Sequence, residues 1–175
     1  NLYNHYLEAF DTFTQIPDRT KMGAWALLFH DIAKPMTAQW DEKGKHHTFY
    51  GHDKKGAQLI LDNYNNEVGP FEFSKKELNA LAWTTEHHLG KFWDMKKPMK
   101  VSQMGNSEHF PLLLQVVKGD MMGLRRSEDL FLDRVAFIQD KTEEINERKA
   151  KSGKKPPGFS LRVFDELNIP AGKER

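Results

Sequence analysis

The sequence predicts an all-α protein, and three observations support that fold class. Apolar residues recur every three to four positions along most of the chain, which is the spacing of one helix face. Prolines, glycines and one capping motif divide these repeats into helices of ordinary length. No convincing alternation of apolar and polar residues indicates a half-buried strand. At 175 residues, 38% of them hydrophobic, the chain corresponds to about one domain with its own core.

The first half of the chain contains three predicted helices. The first covers residues 3–13, and the second covers 19–33 and ends before Pro35, because the residue before a proline resists helical geometry. The charged segment 37–49 is predicted to be a loop. A third helix begins near His52 and ends at about residue 64. The predicted core face of the first helix consists of Tyr3, Leu7, Phe10 and Phe13.

The second half continues with further helices. Residues 74–90 have a complete set of helix signals, with Ser74 and Glu77 as a capping box and Gly90 as a stop. Residues 110–123 are apolar enough to be buried, and a long amphipathic helix follows from about 128 to 148.

The last residues are predicted to form a separate part of the chain. The basic stretch that ends in "KKPPG" is typical of a linker. We therefore expect a helical domain at 1–150 and, at 151–175, a basic linker with a C-terminal helical segment that leads into a further region. Fusion to a kinase or polymerase domain in the full-length protein is left open by the sequence.

Composition excludes several kinds of site. The chain has no cysteine, so neither a disulfide framework nor a thiolate metal site is available. A net charge of +1 gives no overall attraction to nucleic acid. No apolar run is long enough to cross a bilayer. The expected location is the cytoplasm of a bacterial or phage-infected bacterial cell.

An imidazole and a carboxylate, His30 and Asp31, directly follow the apolar segment 24–29. In a continuous helix they share one stripe with Leu27 and Lys34. Burying the two groups alone would cost several kcal/mol, so a bound divalent cation is an economical partner for them. Nitrogen and oxygen ligands together suit Mn, Fe, Co, Ni or Zn better than Ca. A lone His-Asp pair, however, is more often an ordinary hydrogen-bonded pair.

The pair belongs to a longer series of nitrogen and oxygen ligands. Each further member lies near a predicted helix end or on a core-facing surface, and each alone has an ordinary explanation as a cap, a turn residue or an exposed side chain. The further members are His5, His52, His87, His88 and Asp120.

The order of these residues resembles the HD-domain metal-dependent phosphohydrolases, over nearly the whole chain. "HDIAKP" followed by "HHTFYGHDKKGA" is similar to the HD region of bacterial tRNA nucleotidyltransferases and of phage or bacterial RNA end-healing proteins. "FSLRVFDELNIPAGKER" is similar to the segment that follows HD in the nucleotidyltransferases. The paired catalytic aspartates of a polymerase head are absent from this sequence, so the resemblance does not imply nucleotide addition.

The resemblance implies an HD-type helical bundle with one or two divalent ions, from the set Mn, Ni, Co, Fe, Mg and Zn. The first ion would be bound by His5, His30, Asp31 and Asp120. His52, with His87 or His88, would bind a second ion or the substrate. The implied reaction is phosphodiester or phosphomonoester hydrolysis, by attack of metal-bound hydroxide on phosphorus. Substrates would be nucleotides or RNA termini such as a 2′,3′-cyclic phosphate or a 3′-phosphate.

Particular roles follow from the chemistry of phosphoryl transfer. Asp31, Lys34 and His52 are the predicted catalytic residues, with Lys34 and His52 also contacting the phosphoryl oxygens. Arg125 and Arg126 are predicted to clamp a phosphate, although a solvated arginine pair is the more ordinary explanation.

Two questions stay open, one about the function and one about the basic residues beside the site. The HD module could be a non-catalytic or weakly catalytic body that holds tRNA or RNA within a larger nucleotidyltransferase or RNA-repair protein. A local rim of basic residues would contact RNA in either case, or would only be solvated. This rim consists of Lys43, Lys45, His46, His47, Lys54 and Lys55.

Overall fold

The computed structural model describes residues 2–63, 72–89, 97–124 and 128–152, and these are mainly helical. The elements are α1 (Leu2–Thr14), α2 (Lys21–Phe29), α3 (Lys34–Thr37), β1 (Gln39–Asp41), β2 (His46–Thr48), α4 (His52–Asn63), α5 (Lys75–His87), α6 (Pro98–Gly105), α7 (Phe110–Gly123) and α8 (Glu128–Lys151). The all-α prediction is confirmed. None of the helices in this part of the chain is both long and apolar enough to cross a membrane.

The helices enclose two apolar clusters that meet at α7. The first cluster joins α1, α2, α4, α5 and Val116 of α7 around Leu27, Ile60 and Leu81. The second joins α6, α7 and α8 around Phe110 and Ile138. Because α7 contributes to both clusters, it fixes the position of α1 and α2 relative to the C-terminal helices.

Local hydrogen bonds define where the central helices begin. Thr20 caps α2 by accepting from the Gly23 N–H at 2.9 Å, and its own N–H donates to Gln115 Oε1 at 3.0 Å. This side chain on α7 therefore fixes the start of α2. The predicted capping box of α5 is present, with the Ser74 N–H donating to Glu77 Oε2 at 2.7 Å.

The core face predicted for α1 was partly wrong. Phe13 is buried as expected, but Tyr3 is 67% exposed and Leu7 is 54% exposed. Instead Ala9 is completely buried, because α7 approaches it so closely that a Cβ at Gly123 would lie 2.7 Å from its Cα. Helical spacing places His5 on the same side of α1 as Ala9 and Phe13, so the imidazole faces the protein interior.

The helix predicted over 19–33 ends at Phe29, so the placement of His30 and Asp31 on a continuous helical stripe was wrong. The residues between α2 and α3 form turns, in which the Ile32 N–H donates to Phe29 O at 3.1 Å. Pro35 has no N–H for the carbonyl of Asp31, and its ring would clash with that carbonyl in a continuous helix. The Lys34 N–H donates to this carbonyl instead, at 2.9 Å.

The sequence prediction missed four elements, namely the short helix α3, the strands β1 and β2, and the helix α6. A hairpin of β1 and β2 lies inside the predicted loop 37–49, with Trp40 paired to His47. Its strands have three residues each and are mostly exposed, which is too little for an alternating pattern to appear. The helix α6 begins with Pro98, a start signal that the prediction did not use. The expected stop at Gly90 and all but the first two residues of the expected segment 151–175 lie outside the described residues.

Candidate metal centre

The carboxylate of Asp31 lies at the centre of the predicted ligand series, and its side chain is only 1% exposed. Its Oδ2 lies 3.2 Å from His30 Nε2 and 3.5 Å from His5 Nε2. Its Oδ1 lies 3.2 Å from His52 Nε2 and 3.4 Å from His88 Nε2. The two oxygens of one carboxylate therefore face two different sets of imidazoles.

Two groups of ligand atoms result, and within each group all the ligand atoms lie within 4.8 Å of one another. We call His5, His30 and Asp120 the outer group, and Asp31, His52 and His88 the inner group. In the outer group, Asp120 Oδ1 lies 3.0 Å from His5 Nε2 and 3.7 Å from His30 Nε2. The inner group has its imidazole Nε2 atoms 3.3 Å apart.

Different helices supply the two groups. The outer group combines α1, the turn after α2, and α7. The close contact of Gly123 with Ala9 brings α7 and α1 together. The inner group combines that same turn with the start of α4 and the end of α5. Gly56 allows these two helices to approach, since a Cβ there would lie 2.8 Å from Thr85 Cγ2.

Backbone carbonyls orient three of the imidazoles. His30 Nδ1 lies 2.6 Å from Leu27 O, His52 Nδ1 lies 2.6 Å from Phe49 O, and His88 Nδ1 lies 2.6 Å from Thr85 O. A carbonyl can only accept, so each Nδ1 must carry the hydrogen. In the neutral ring the lone pair is then on Nε2, the atom that faces Asp31. A metal-binding histidine usually has this arrangement.

The inner group brings acceptors together without enough donors. In the neutral form of His52 and His88, both Nε2 lone pairs point towards Asp31 Oδ1, an atom that is buried and makes no hydrogen bond of good geometry. Three acceptor atoms at 3.2–3.4 Å repel one another unless a positive charge lies between them. The donor set and the crowding therefore fit a divalent cation held by imidazole nitrogen and carboxylate oxygen.

Electrostatics differ between the groups. Hydrogen bonds to Asp120 and Asp31 raise the pKa of His5 to about 9. Burial lowers the pKa of His30, but its bonds to the same carboxylates outweigh burial and raise it to about 9. For His88, burial is the dominant cause and its pKa is lowered. The surrounding imidazoles outweigh burial at Asp31 and Asp120 and hold both carboxyl pKa values well below their usual range.

Lys34 contacts the centre directly, because its Nζ forms an ion pair with Asp31 Oδ2. The lysine side chain is 23% exposed, so its ammonium group lies between the buried carboxylate and solvent. A phosphate that approached Asp31 from solvent would meet this positive charge first.

The two adjacent histidines on α5 face different regions. His88 joins the inner group, whereas His87 stacks on Trp83 with ring centroids 4.3 Å apart and its Nδ1 lies 2.7 Å from Trp83 O. His87 lines a separate cavity of about 490 Å³ together with Lys100 and Gln103. Arg125 and Arg126, the predicted phosphate clamp, lie outside the described residues.

Sequence reasoning missed Tyr6, which packs edge-on against His30 with ring centroids 5.5 Å apart. Burial and the nearby charge of Asp31 raise the pKa of this tyrosine, so it is a neutral phenol beside the outer group. Its position next to His5 was the available signal, but adjacent helical residues usually face different directions.

A family model described as the HD domain matches residues 2–145 of the chain. The chain belongs to the HD domain family. The match covers every member of the outer and inner groups, and the resemblance expected from the sequence is confirmed. HD domains form a superfamily of metal-dependent phosphohydrolases, and the buried cluster of this HD domain could hold a metal ion.

Two curated proteins are similar to this HD domain. An A-adding tRNA nucleotidyltransferase of Deinococcus radiodurans is 37% identical over 60 residues, or 34% of this chain and 14% of the relative. A CC-adding tRNA nucleotidyltransferase of Thermus thermophilus is 23% identical over 127 residues, or 72% of this chain and 28% of the relative. The aligned part is thus less than a third of either relative's length. No solved structure matches the chain significantly.

Proposed function

We propose that the chain is a divalent-metal-dependent phosphohydrolase that acts on nucleotides or on RNA termini such as a 2′,3′-cyclic phosphate or a 3′-phosphate. The observation that carries this proposal is the shared carboxylate of Asp31. One oxygen faces His5 and His30, and the other faces His52 and His88. A carboxylate between two imidazole groups is suited to binding two cations side by side, as many phosphoester hydrolases require.

His5, His30, Asp31 and Asp120 would hold one ion, and Asp31, His52 and His88 would hold a second. When bound, such ions polarise phosphoryl oxygens and lower the pKa of a coordinated water molecule. Mn, Fe, Co, Ni and Zn suit this mixed ligand set, and Mg remains a candidate.

The side chains have separate tasks in this proposal. Backbone carbonyls hold His30, His52 and His88 so that their Nε2 atoms point inward without further ordering. Lys34 is partly exposed and positively charged, so it would attract and position the phosphoryl group of the substrate. His87 is not assigned a role in this site, because it lines the separate cavity beside Trp83.

The curated relatives favour a second candidate function. Both are named as tRNA nucleotidyltransferases, and their similarity to this chain lies in a minor part of their length. In this alternative the HD domain holds tRNA or RNA for a polymerase elsewhere in a longer protein, and any metal is structural.

Metal analysis followed by a hydrolysis assay tests the proposal. The purified protein would be loaded with Mn, Co, Ni or Mg and assayed on bis-p-nitrophenyl phosphate, on 2′,3′-cyclic nucleotides and on oligoribonucleotides with a 3′-phosphate. We expect hydrolysis of at least one class of phosphoester. In Asp31→Ala the rate should fall roughly 10³-fold or more, because both ions lose a shared ligand and each contributes several kcal/mol.

Asp140→Ala is the matched control, since Asp140 is an exposed carboxylate on α8 away from the cluster. It should retain wild-type metal content and activity. A folded, metal-loaded protein that hydrolyses none of the substrates but binds tRNA would contradict the phosphohydrolase and support the RNA-holding module.

A further inference from the structure

An exposed strip of aromatic rings runs along one face of the hairpin. Trp40 on β1 is paired with His47 on β2, and their ring centroids are 5.1 Å apart. His47 is followed two positions later by Phe49, and their rings are stacked at 6.5 Å with planes 23° apart. We call Trp40, His47 and Phe49 the aromatic strip.

The aromatic strip ends at the metal centre. Lys34 Nζ lies 5.7 Å from the centroid of the Phe49 ring, within the range of a cation–π contact, and the same ammonium group pairs with Asp31. The carbonyl of Phe49 also accepts from His52 Nδ1 at 2.6 Å. One end of the strip is therefore connected to the ligand groups through both a side chain and the backbone.

The far end of the aromatic strip is open to solvent. Trp40 is 52% exposed although it is the largest side chain type. The hairpin has only two short strands, and the rings of Trp40 and His47 belong to neither apolar cluster. Packing of the core therefore does not account for these rings.

Charge around the aromatic strip favours an anionic ligand. Between Lys34 and Lys55 the chain has five lysines and three acidic residues. Lys43 and Lys45 lie in the turn of the hairpin, and Lys54 and Lys55 lie in the first turn of α4. The whole protein has a net charge of only +1, so the positive charge here is local.

We propose that the aromatic strip binds the bases of single-stranded nucleic acid whose terminal phosphate lies at the metal centre. This inference rests on the proposed function and narrows its substrate from mononucleotides to oligonucleotides. Bases stack on exposed aromatic rings regardless of sequence, and lysines beside them bind the phosphates. A terminal phosphate would reach Lys34 and Asp31, while the preceding bases stack on Phe49, His47 and Trp40.

A comparison of a large and a small substrate tests this inference. The metal-loaded full chain would be assayed on bis-p-nitrophenyl phosphate and on an oligoribonucleotide of about eight nucleotides with a terminal phosphate, close to the length that one small binding fold covers. In Trp40→Ala, the ratio of kcat/KM for the oligonucleotide to kcat/KM for the small ester should fall roughly tenfold. His47→Ala should lower the same ratio, and Trp40→Phe should restore most of it.

Phe137→Ala is the control, because this side chain is an exposed aromatic on α8 and lies outside the aromatic strip. The ratio should be the same in this variant as in the wild type. An unchanged ratio in folded Trp40→Ala and His47→Ala would overturn the inference while hydrolysis of the small ester upheld the proposed function.

If the protein has no hydrolytic activity, a direct measurement of nucleic-acid binding still tests the inference about the aromatic strip. Fluorescence anisotropy with labelled single-stranded RNA, single-stranded DNA and duplex RNA would be measured at low and high salt. We expect single strands to bind more tightly than the duplex, more weakly at high salt, and roughly tenfold more weakly to Trp40→Ala. Equal binding of RNA and DNA supports recognition through bases and phosphates, whereas absence of single-strand binding overturns the inference.

Discussion

The carboxylate of Asp31 belongs to the inner group and also faces the outer group, but the two groups differ in access and in protonation. His5 and Asp120 of the outer group are 12% and 21% exposed, whereas His52 and His88 of the inner group are at most 6% exposed. Carboxylates raise the pKa of His5 and His30 in the outer group, while burial lowers that of His88 in the inner group. His88 thus has the opposite preference for protons to His5 and His30.

The difference follows from the number of carboxylates that face the imidazoles of each group. His5 and His30 of the outer group face Asp120 and also Asp31 Oδ2, so positive charge on the rings is stabilised. In the inner group one oxygen of Asp31 faces two buried imidazoles whose Nδ1–H groups are already bonded to carbonyls. His88 can therefore bind a metal ion without losing a proton from Nε2, while His5 and His30 must first lose protons.

Substituting one ligand in each group should have the largest effect and should show whether the two groups bind separate ions. We expect Asp120→Ala and His88→Ala each to weaken binding of one ion by at least about a hundredfold and to lower hydrolysis by a similar factor. Metal content by mass spectrometry should fall from two ions per chain to one in each variant.

His87→Ala is the matched control for His88→Ala, because the two residues are adjacent at the end of α5 and His87 stacks on Trp83 instead. It should retain both ions. Loss of both ions from His88→Ala would show that the two groups do not bind independently, and loss of metal from His87→Ala would contradict the separation of the two histidines.

The opposite proton preferences predict a pH dependence. Because the pKa values of His5 and His30 are about 9, both rings carry protons in the metal-free protein at pH 7, and metal must displace them. The affinity of the outer group for its metal ion should rise about tenfold per pH unit for each proton displaced, up to about pH 9. Calorimetric titration in buffers with different ionisation enthalpies measures the number of protons released.

The stability of the metal-free protein should depend on pH in the opposite direction to the metal affinity, and should fall as pH rises. The folded pKa values of His5 and His30 lie above the ordinary value of 6.5, so their contribution to stability is complete below about pH 6.5 and is lost as pH rises through about 9. Denaturant unfolding at several pH values checks this. Asp120→Asn removes the main partner of His5 and should flatten the profile; an unchanged profile would contradict the assignment.

A smaller effect is expected from the glycines that allow close packing. Gly123→Ala should destabilise the protein by about 1–3 kcal/mol and disturb the outer group, because the new Cβ would meet the backbone of Ala9. Gly119→Ala, on the same helix, would meet Leu27 only at an ordinary 3.5 Å and should stabilise the protein by about 0.5–1 kcal/mol. Thermal unfolding of both variants measures the difference, and equal destabilisation would contradict it.

Particular residues show how far the sequence was informative. Ser74 and Glu77 specified the start of α5 correctly, because a capping box is a contact between residues close in sequence. The hairpin at Trp40 and His47 was missed, because its strands are short and exposed. The choice between His87 and His88 was left open by the sequence. The structure places only His88 in the inner group, since adjacent residues at a helix end point in different directions.

The sequence by itself determined the all-α class, the capping of α5 and the types of ligand atom available, because these depend on composition and on contacts within a few residues. Only the tertiary structure decided that α1 turns His5 inward and that Asp31 faces two groups of imidazoles. Those features depend on how closely helices approach one another at Gly56 and Gly123. Such distances are set by packing between residues far apart in sequence, which spacing along the chain does not encode.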